Sequence, residues 1–452
     1  MDEPRSVRPA PSLWHDQIGD APSRPALPGD IAVDVAIVGA GFTGLWTALY
    51  LKRLQPDARV LVIDSAFVGF GASGRNGGWC IGELAAGDDR WRGLAGEEGA
   101  RRMHRAMVGT VDEVGRMASE LGIDCDWAHG GAIHLARNGG QEARLRPMAT
   151  DDVHWLDAAE ASAVVGATAL RGGLFDPHTA VLHPGKLVVG LAEACERSGV
   201  VIREGTPARR VTGGIVETAN GRITADAVVV AAEAYGGTIT GRRRDLVPFY
   251  SLMVATEPLD SESLERIGLT DRTAFTDARY RVIYGQRTAD GRIAFGGRAA
   301  AYRYGSKIDR ATEESADAHH VVHEALLELF PFLAGVEITH RWGGVLGVPR
   351  NWTPSVGADR LHGVYRAGGY VGEGVAAANL AGRCLAHLIV GTGDDVTTLP
   401  WVRRPSRRWP IEPLRWLGIQ AGSVLFELAD RREATTDRRA READIAWRWV
   451  RR

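Results

Sequence analysis

Asp34-Val-Ala-Ile-Val-Gly-Ala-Gly-Phe-Thr-Gly-Leu45 is a short apolar run that ends in G-x-G-x-x-G and passes into an apolar segment from Leu45 to Leu54. It reads as strand, tight turn, helix. Gly39 allows the turn, Gly41 removes the side chain that would hold a pyrophosphate off the backbone, and Gly44 lets the helix lie close on the strand. Phe42 and Thr43 sit at the helix start, where amide N–H groups face an anion. The next apolar run, Arg59-Val-Leu-Val-Ile, ends in Asp64, whose carboxylate is placed to accept the hydroxyls of an adenosine ribose. Ser65 and Ala66 follow with no nearby Arg for a ribose 2′-phosphate, which disfavours NADP. A lone G-x-G-x-x-G is a weak signal in a chain with 56 glycines, but strand, helix and acid in register make a dinucleotide site.

The loop that follows, Gly69-Phe-Gly-Ala-Ser-Gly-Arg-Asn-Gly-Gly78, points to FAD rather than NAD. Gly71, Ala72, Ser73, Arg75, Asn76, Gly77 and Gly78 bring backbone amides and hydrogen-bonding side chains to a second phosphate or a ring edge. An extended FAD needs contacts at its pyrophosphate, ribityl chain and isoalloxazine, whereas a nicotinamide enzyme has no use for such a loop here.

The order of G-x-G-x-x-G, acid, then G-A-S-G-R-N-G-G resembles the D-amino-acid oxidase-like superfamily of FAD enzymes. Within it the likeness is to the branch containing gamma-glutamylputrescine oxidoreductase. The resemblance implies an α/β fold: a Rossmann-like, doubly wound FAD-binding domain of the glutathione-reductase type, with a discontinuous α+β substrate domain on an antiparallel sheet. It also implies that the turn at Thr206-Pro-Ala lays Ala208 against the adenine. The segment Gly369-Tyr-Val-Gly-Glu-Gly374 is implied to close over the flavin, through Gly369, Tyr370, Val371, Gly372 and Gly374. The superfamily usually has G-x-x-G-H-G there; this chain has Glu373 at the histidine. Reduced flavin is anionic, so a carboxylate at that place opposes it unless the side chain turns away or meets a cationic substrate.

The chain has 452 residues, 45% hydrophobic, with net charge −2, enough for a large core and without the basic excess of a nucleic-acid binder. Cys80, Cys125, Cys195 and Cys384 are scattered and show no metal-ligand spacing, so no metal is expected. With no apolar h-region near Met1 and no spanning segment beyond the strand and helix at Val35–Leu51, a cytoplasmic protein is expected.

Along the chain, residues 1–30 read as a Pro-rich arm carrying Trp14 on the surface. Residues 31–95, 170–243 and 338–398 are expected to form the FAD-binding domain, and 96–169 with 244–337 the substrate domain. The pattern predicts helices at Gly96–Leu121, around Asp157, from Pro184 through Arg197, at Thr312–Phe330 and from about Gly374. It predicts strands at Val200–Arg203, Ile223–Ala232, Val247–Glu257, Tyr280–Tyr284 and Ile293–Gly297. His178 and His183 invite reading as an acid/base pair, yet His183-Pro184 fits a helix entry better. Residues 399–452, rich in Trp and Arg with acidic residues between, read as a packed cap or dimer element rather than a membrane-surface helix.

The resemblance implies that a neutral amine delivers hydride to flavin N5 and leaves an imine that water hydrolyses. Such chemistry calls for positioning rather than an acid/base triad. Candidate residues around the reacting centre are Tyr250 as a hydroxyl and ring wall, Arg287 as a bidentate carboxylate clamp, and Trp342 and Tyr370 framing the ring. No Cys lies between Gly296 and Gly369, and Cys80 is not at an attachment position, so FAD is expected to be noncovalent. The expected substrate is a small amine, gamma-glutamylputrescine-like, with an N-methyl or D-amino acid as alternative and dioxygen, a quinone or a protein as electron acceptor. A non-turnover flavoprotein subunit is the remaining reading, and a homo-oligomer is open.

Overall fold

The first strand, Ile31–Val38, is polar-flanked at its start and buried over its second half, because it lies at the middle of a sheet covered on both faces. The computed structural model describes residues 12–19, 22–85, 87–298, 302–402, 406–443 and 446. Ile31–Val38 pairs in parallel with Val60–Ile63 on one side and Arg222–Val230 on the other. Val201–Arg203 extends the sheet beyond Val60–Ile63, and Val364–Gly368 extends it beyond Arg222–Val230, both in parallel. The antiparallel strand Ser355–Asp359 closes that edge. A hairpin of Ala208–Thr212 and Ile215–Thr218 branches from Arg222–Val230.

Two helices cover one face. Phe42–Leu54 is buried from Phe42 through Leu51, and Gly374–Val390 packs against it with a run of Ala and Gly. The close approach needs those small residues: a Cβ on Gly382 would stand 2.6 Å from Trp46 Cβ. Helix Pro184–Arg197 has Pro184 in its first turn, as expected, and His183 Nδ1 caps it by accepting from the Lys186 N–H at 3.0 Å.

A second sheet runs in the order Ile338–Pro349, Leu246–Thr256, Ile293–Gly297, Ile283–Arg287, Ala274–Asp277, Ala132–Ala136, Gly172–Asp176, His154–Asp157. It is antiparallel except where Ala274–Asp277 meets Ala132–Ala136. Helix Ala316–Leu329 lies on it, burying Val322, Leu326 and Leu329 with Phe275 and Phe295. A two-stranded piece, Trp79–Ile81 with Thr179–Val181, lies apart from both sheets.

The structure differs from the sequence reading in four places. Gly172–Asp176 and Ile338–Pro349 lie in the second sheet, not with the segments of the first; both are apolar and Gly-rich, a pattern that fits a buried strand in either sheet. The helix read as Gly96–Leu121 spans Asp88–Glu120 with a kink at Gly96. It sends Met103, Met107, Val111, Val114 and Met117 into the core under the first sheet, rather than into the substrate half. Trp14, expected on the surface, is 1% exposed: helix Leu13–Ile18 seats it in a cluster with Met253, Ala255, Ala294 and Trp342. The helix read across Thr312–Phe330 is broken after Glu313 and restarts at Ala316, where Ser315 accepts from the Ala318 N–H.

Candidate active site

The C-terminal ends of the first sheet's parallel strands open into a cavity of about 810 Å³. This is the place where open α/β sheets bind ligands. Gly39, Gly41, Phe42, Thr43, Asp64, Ser65, Gly71, Ala72, Ser73, Asn76 and Ala208 all line it. Tyr370, Val371, Gly372 and Gly374 line it from the other side. The three motifs read from the sequence thus meet around one space.

Gly39 has φ +114°, and a Cβ there would lie 2.5 Å from Ala231 O, so the turn requires glycine twice over. Asp64 bridges the turn and the following loop: Oδ2 accepts from the Ala40 N–H and Oδ1 from the Ala66 N–H, each at 2.9 Å. Burial raises its pKa and those amides oppose the rise. Ser73 Oγ accepts from the Phe42 N–H at 2.9 Å, and a Cβ on Gly41 would come within 2.8 Å of that oxygen. The glycine is therefore what lets the second loop close over the helix start.

Other predicted residues lie behind the wall. A Cβ on Gly44 would stand 2.0 Å from Gly39 O, so Gly44 sets helix-on-strand packing. Gly77 and Gly296 sandwich the Tyr284 ring, with a Cβ on either reaching to 2.5 Å of it. Gly78, at φ +71°, leaves room for the Gln286 amide. Arg75 is buried, paired with Glu313 at 2.8 Å and bonded to Gly343 O, so it joins the loop to the second sheet. Gly369 donates its N–H to Glu233 Oε1 at 2.8 Å.

Of the four residues proposed for the reacting centre, only Tyr370 lines the cavity; its hydroxyl is 3.0 Å from Thr43 Oγ1, and burial raises its pKa. Tyr250 accepts from the Asp309 N–H at 2.7 Å and sits behind Lys307 and Ile308, which do line the cavity. Trp342 donates through Nε1 to Arg75 O at 2.8 Å, within the cluster around Trp14. Arg287 is turned to Gly268 O at 3.2 Å and is not on the wall. Tyr250, Trp342 and Arg287 sit in the second sheet, where residue type alone does not say which face a side chain takes.

Sequence reasoning missed Glu233. It is half-buried in the turn just after strand Arg222–Val230, at φ +43°, and lines the cavity. Its Oε1 accepts from the Gly369 N–H and, at 3.2 Å, the Tyr370 N–H, so it ties the glycine turn to the sheet. Burial pushes its pKa up to about 7 against those amides and that of Gly347. The signal was an acid directly after a buried apolar strand. Arg298, also missed, donates from Nη2 to Val371 O at 2.7 Å and lies over the Trp352 ring. Glu373 acts on it: burial lowers the Arg298 pKa and the Glu373 charge opposes the fall. Glu373 is not among the lining residues, and its carboxylate acts on the half-buried Arg298.

These residues fit FAD. The acid and Ala208 suit an adenosine, and the glycine cradle at Gly41 and Ser73, with Arg243, Arg244 and Lys307 on the wall, suits a pyrophosphate. The N-terminus of helix Gly374–Val390 suits the electron-rich edge of a flavin. Fold and site together define a two-domain flavin-dependent oxidoreductase.

The family model described as "FAD dependent oxidoreductase" matches residues 34–388, and the chain belongs to that family. It is 31% identical to "Probable oxidoreductase OrdL" of Rhizobium meliloti, over 88% of this chain and 93% of that protein. It is also 31% identical to "Gamma-glutamylputrescine oxidoreductase" of Escherichia coli, over 89% of this chain and 93% of that one. Among solved structures, glycine oxidase from Geobacillus kaustophilus superposes with a TM-score of 0.67 at 21% identity, covering 82% of this chain and 99% of that one. The fold class expected from the sequence is thereby met, and the protein is an FAD-dependent oxidoreductase. No helix among the described residues is long and apolar enough to cross a membrane, and no group of metal-ligating side chains is found there.

Proposed function

We propose that this protein oxidises the C–N bond of a small amine of the gamma-glutamylputrescine type, with noncovalently held FAD, in the cytoplasm. The observation that carries the substrate is the near full-length similarity to gamma-glutamylputrescine oxidoreductase. Arg287 supports it from the negative side: the carboxylate clamp that would favour an amino acid is turned away from the cavity. Among the described residues, neither Cys nor His lines the cavity, and Cys80 is buried in the core with its pKa raised by burial, which supports noncovalent binding.

Bound FAD supplies the two-electron acceptor for hydride from the carbon beside nitrogen, and water hydrolyses the resulting imine. The chain's part is to bind and orient. Asp64 and Ser73 hold the two loops at the cofactor's polar half. Glu233 and Arg298 hold the Gly369–Gly374 turn, and with it the start of helix Gly374–Val390, against the other half. Tyr284, anchored by its hydroxyl to Ser251 Oγ at 2.8 Å, keeps a ring between the flavin loop and the second sheet.

The test is anaerobic bleaching of the flavin absorbance by gamma-glutamylated amines, polyamines, N-methyl amino acids and D-amino acids, followed by air. Bleaching by the first group supports the proposal. Bleaching by an N-methyl or D-amino acid alone replaces the substrate, and no bleaching by any of them favours a non-turnover subunit. Rapid recovery in air marks dioxygen as acceptor; slow recovery marks a quinone or protein.

A further inference from the structure

Large apolar side chains are left exposed in one concentrated place: Leu414, Leu417, Val424 and Leu428 on helix Leu414–Thr436 are 63%, 53%, 56% and 55% exposed. With the exposed Ala421 they repeat at alternating steps of three and four residues, the spacing of the a and d positions of a coiled coil. The inner face is already occupied. Phe426 stacks on Tyr280, Asp430 accepts from the Tyr280 and Arg281 N–H groups, and buried Glu433 pairs with Arg144. The helix is therefore held in place by its own chain, so pairing on the outer side need not meet the cost of helix nucleation.

We propose that this outer seam pairs with the same seam on a second copy of the chain, as a parallel two-helix contact. A seam of a and d positions is narrower than the apolar face of a helix lying on a membrane. The charges beside it carry both signs: Arg431 pairs with Glu427 at 2.6 Å, and Arg432 pairs with Glu442. With Leu414 at a, Glu427 falls at g and Arg432 at e. These are the positions that face each other, five residues apart, across a parallel pair, and they have opposite charge. Two copies of the same seam therefore match in shape and sign. Ile411, Glu412 and Arg415, at the head of this helix, line the cofactor cavity, so the second copy stands beside its wall.

Sedimentation velocity of the full-length holoprotein tests this, with Leu417→Glu/Val424→Glu as the breaking variant and circular dichroism as the control for folding. A wild-type dimer that becomes a folded monomer in the variant is the expected result. Ala421→Cys, on the seam, forms a disulfide dimer on mild oxidation and Ser423→Cys, off it, does not; the native cysteines are all buried and stay silent. A wild-type monomer overturns the proposal, as does a dimer indifferent to the double variant. So does binding to phosphatidylserine vesicles that the variant abolishes, or a dimer that forms only when residues 444–452 are deleted, which makes that segment the seam's cover.

Discussion

Replacing Trp14 tests whether the N-terminal segment is part of the flavin-binding machinery. The side chain is 1% exposed, meets His183 edge-on at 4.9 Å and Trp342 at 6.1 Å, and donates through Nε1 to Asn76 O at 2.8 Å. Asn76 in turn staples the flavin loop: its amide donates to Ala72 O and Ser73 O, and its Oδ1 accepts from the Gly78 N–H. Trp14→Ala removes a buried indole, a loss of about 3–5 kcal/mol for large-to-small core changes. Trp14→Phe keeps a ring but no donor, a loss of about 1 kcal/mol for one hydrogen bond. If that bond holds the loop, the same energy appears as an approximately fivefold weaker flavin dissociation constant. The assay is urea unfolding followed by tryptophan fluorescence, alongside flavin titration of the apoprotein. A Trp14→Ala protein within 1 kcal/mol of wild type, with unchanged flavin affinity, would refute the reasoning.

Glu233→Gln changes how stability depends on pH. The folded pKa of about 7 lies above the ordinary glutamate value of 4.5, so the folded state holds the proton longer. Stability from this group is therefore greatest below the unfolded value and declines by about 3 kcal/mol as pH rises to 7 and beyond. The glutamine variant lacks that decline; parallel stability–pH curves for the two proteins between pH 5 and 8 would remove the assignment. Gly44→Ala places a methyl 2.0 Å from Gly39 O and must part helix from strand. Loss of flavin binding with a destabilisation of about 1–3 kcal/mol is expected, measured by titration and thermal unfolding. Retained stoichiometric flavin would show that the turn yields.

The cofactor half of the site was legible because its requirements are local. A positive φ at Gly39, a helix start at Phe42 and an acid at a strand end are each set within a few residues, and Asp64 and Ser73 both line the cavity. The substrate half was not. Tyr250, Arg287 and Trp342 are suitable residue types, but all three are engaged away from the cavity, in contacts with backbone groups of helix ends and of the flavin loop. Tyr284, a few residues from Arg287, takes the place beside the flavin loop because Gly77 and Gly296 leave a slot for its ring.

What the sequence determined by itself is the order of elements that makes a parallel sheet with a dinucleotide turn, and hence the cofactor. Hydrophobic period, glycine spacing and helix starts act over one or two turns of chain. Tertiary structure alone decided that Glu233 clasps the Gly369 turn, that Arg298 reaches Val371, and that Trp14 closes over Asn76. Those partners are 136, 73 and 62 residues apart. Only the folded chain brings them together, Glu233 to Gly369 at the ends of neighbouring strands of the first sheet and Arg298 to Val371 between the two sheets, because a carboxylate, guanidinium or indole shielded from water takes whichever polar group the fold leaves within hydrogen-bond reach.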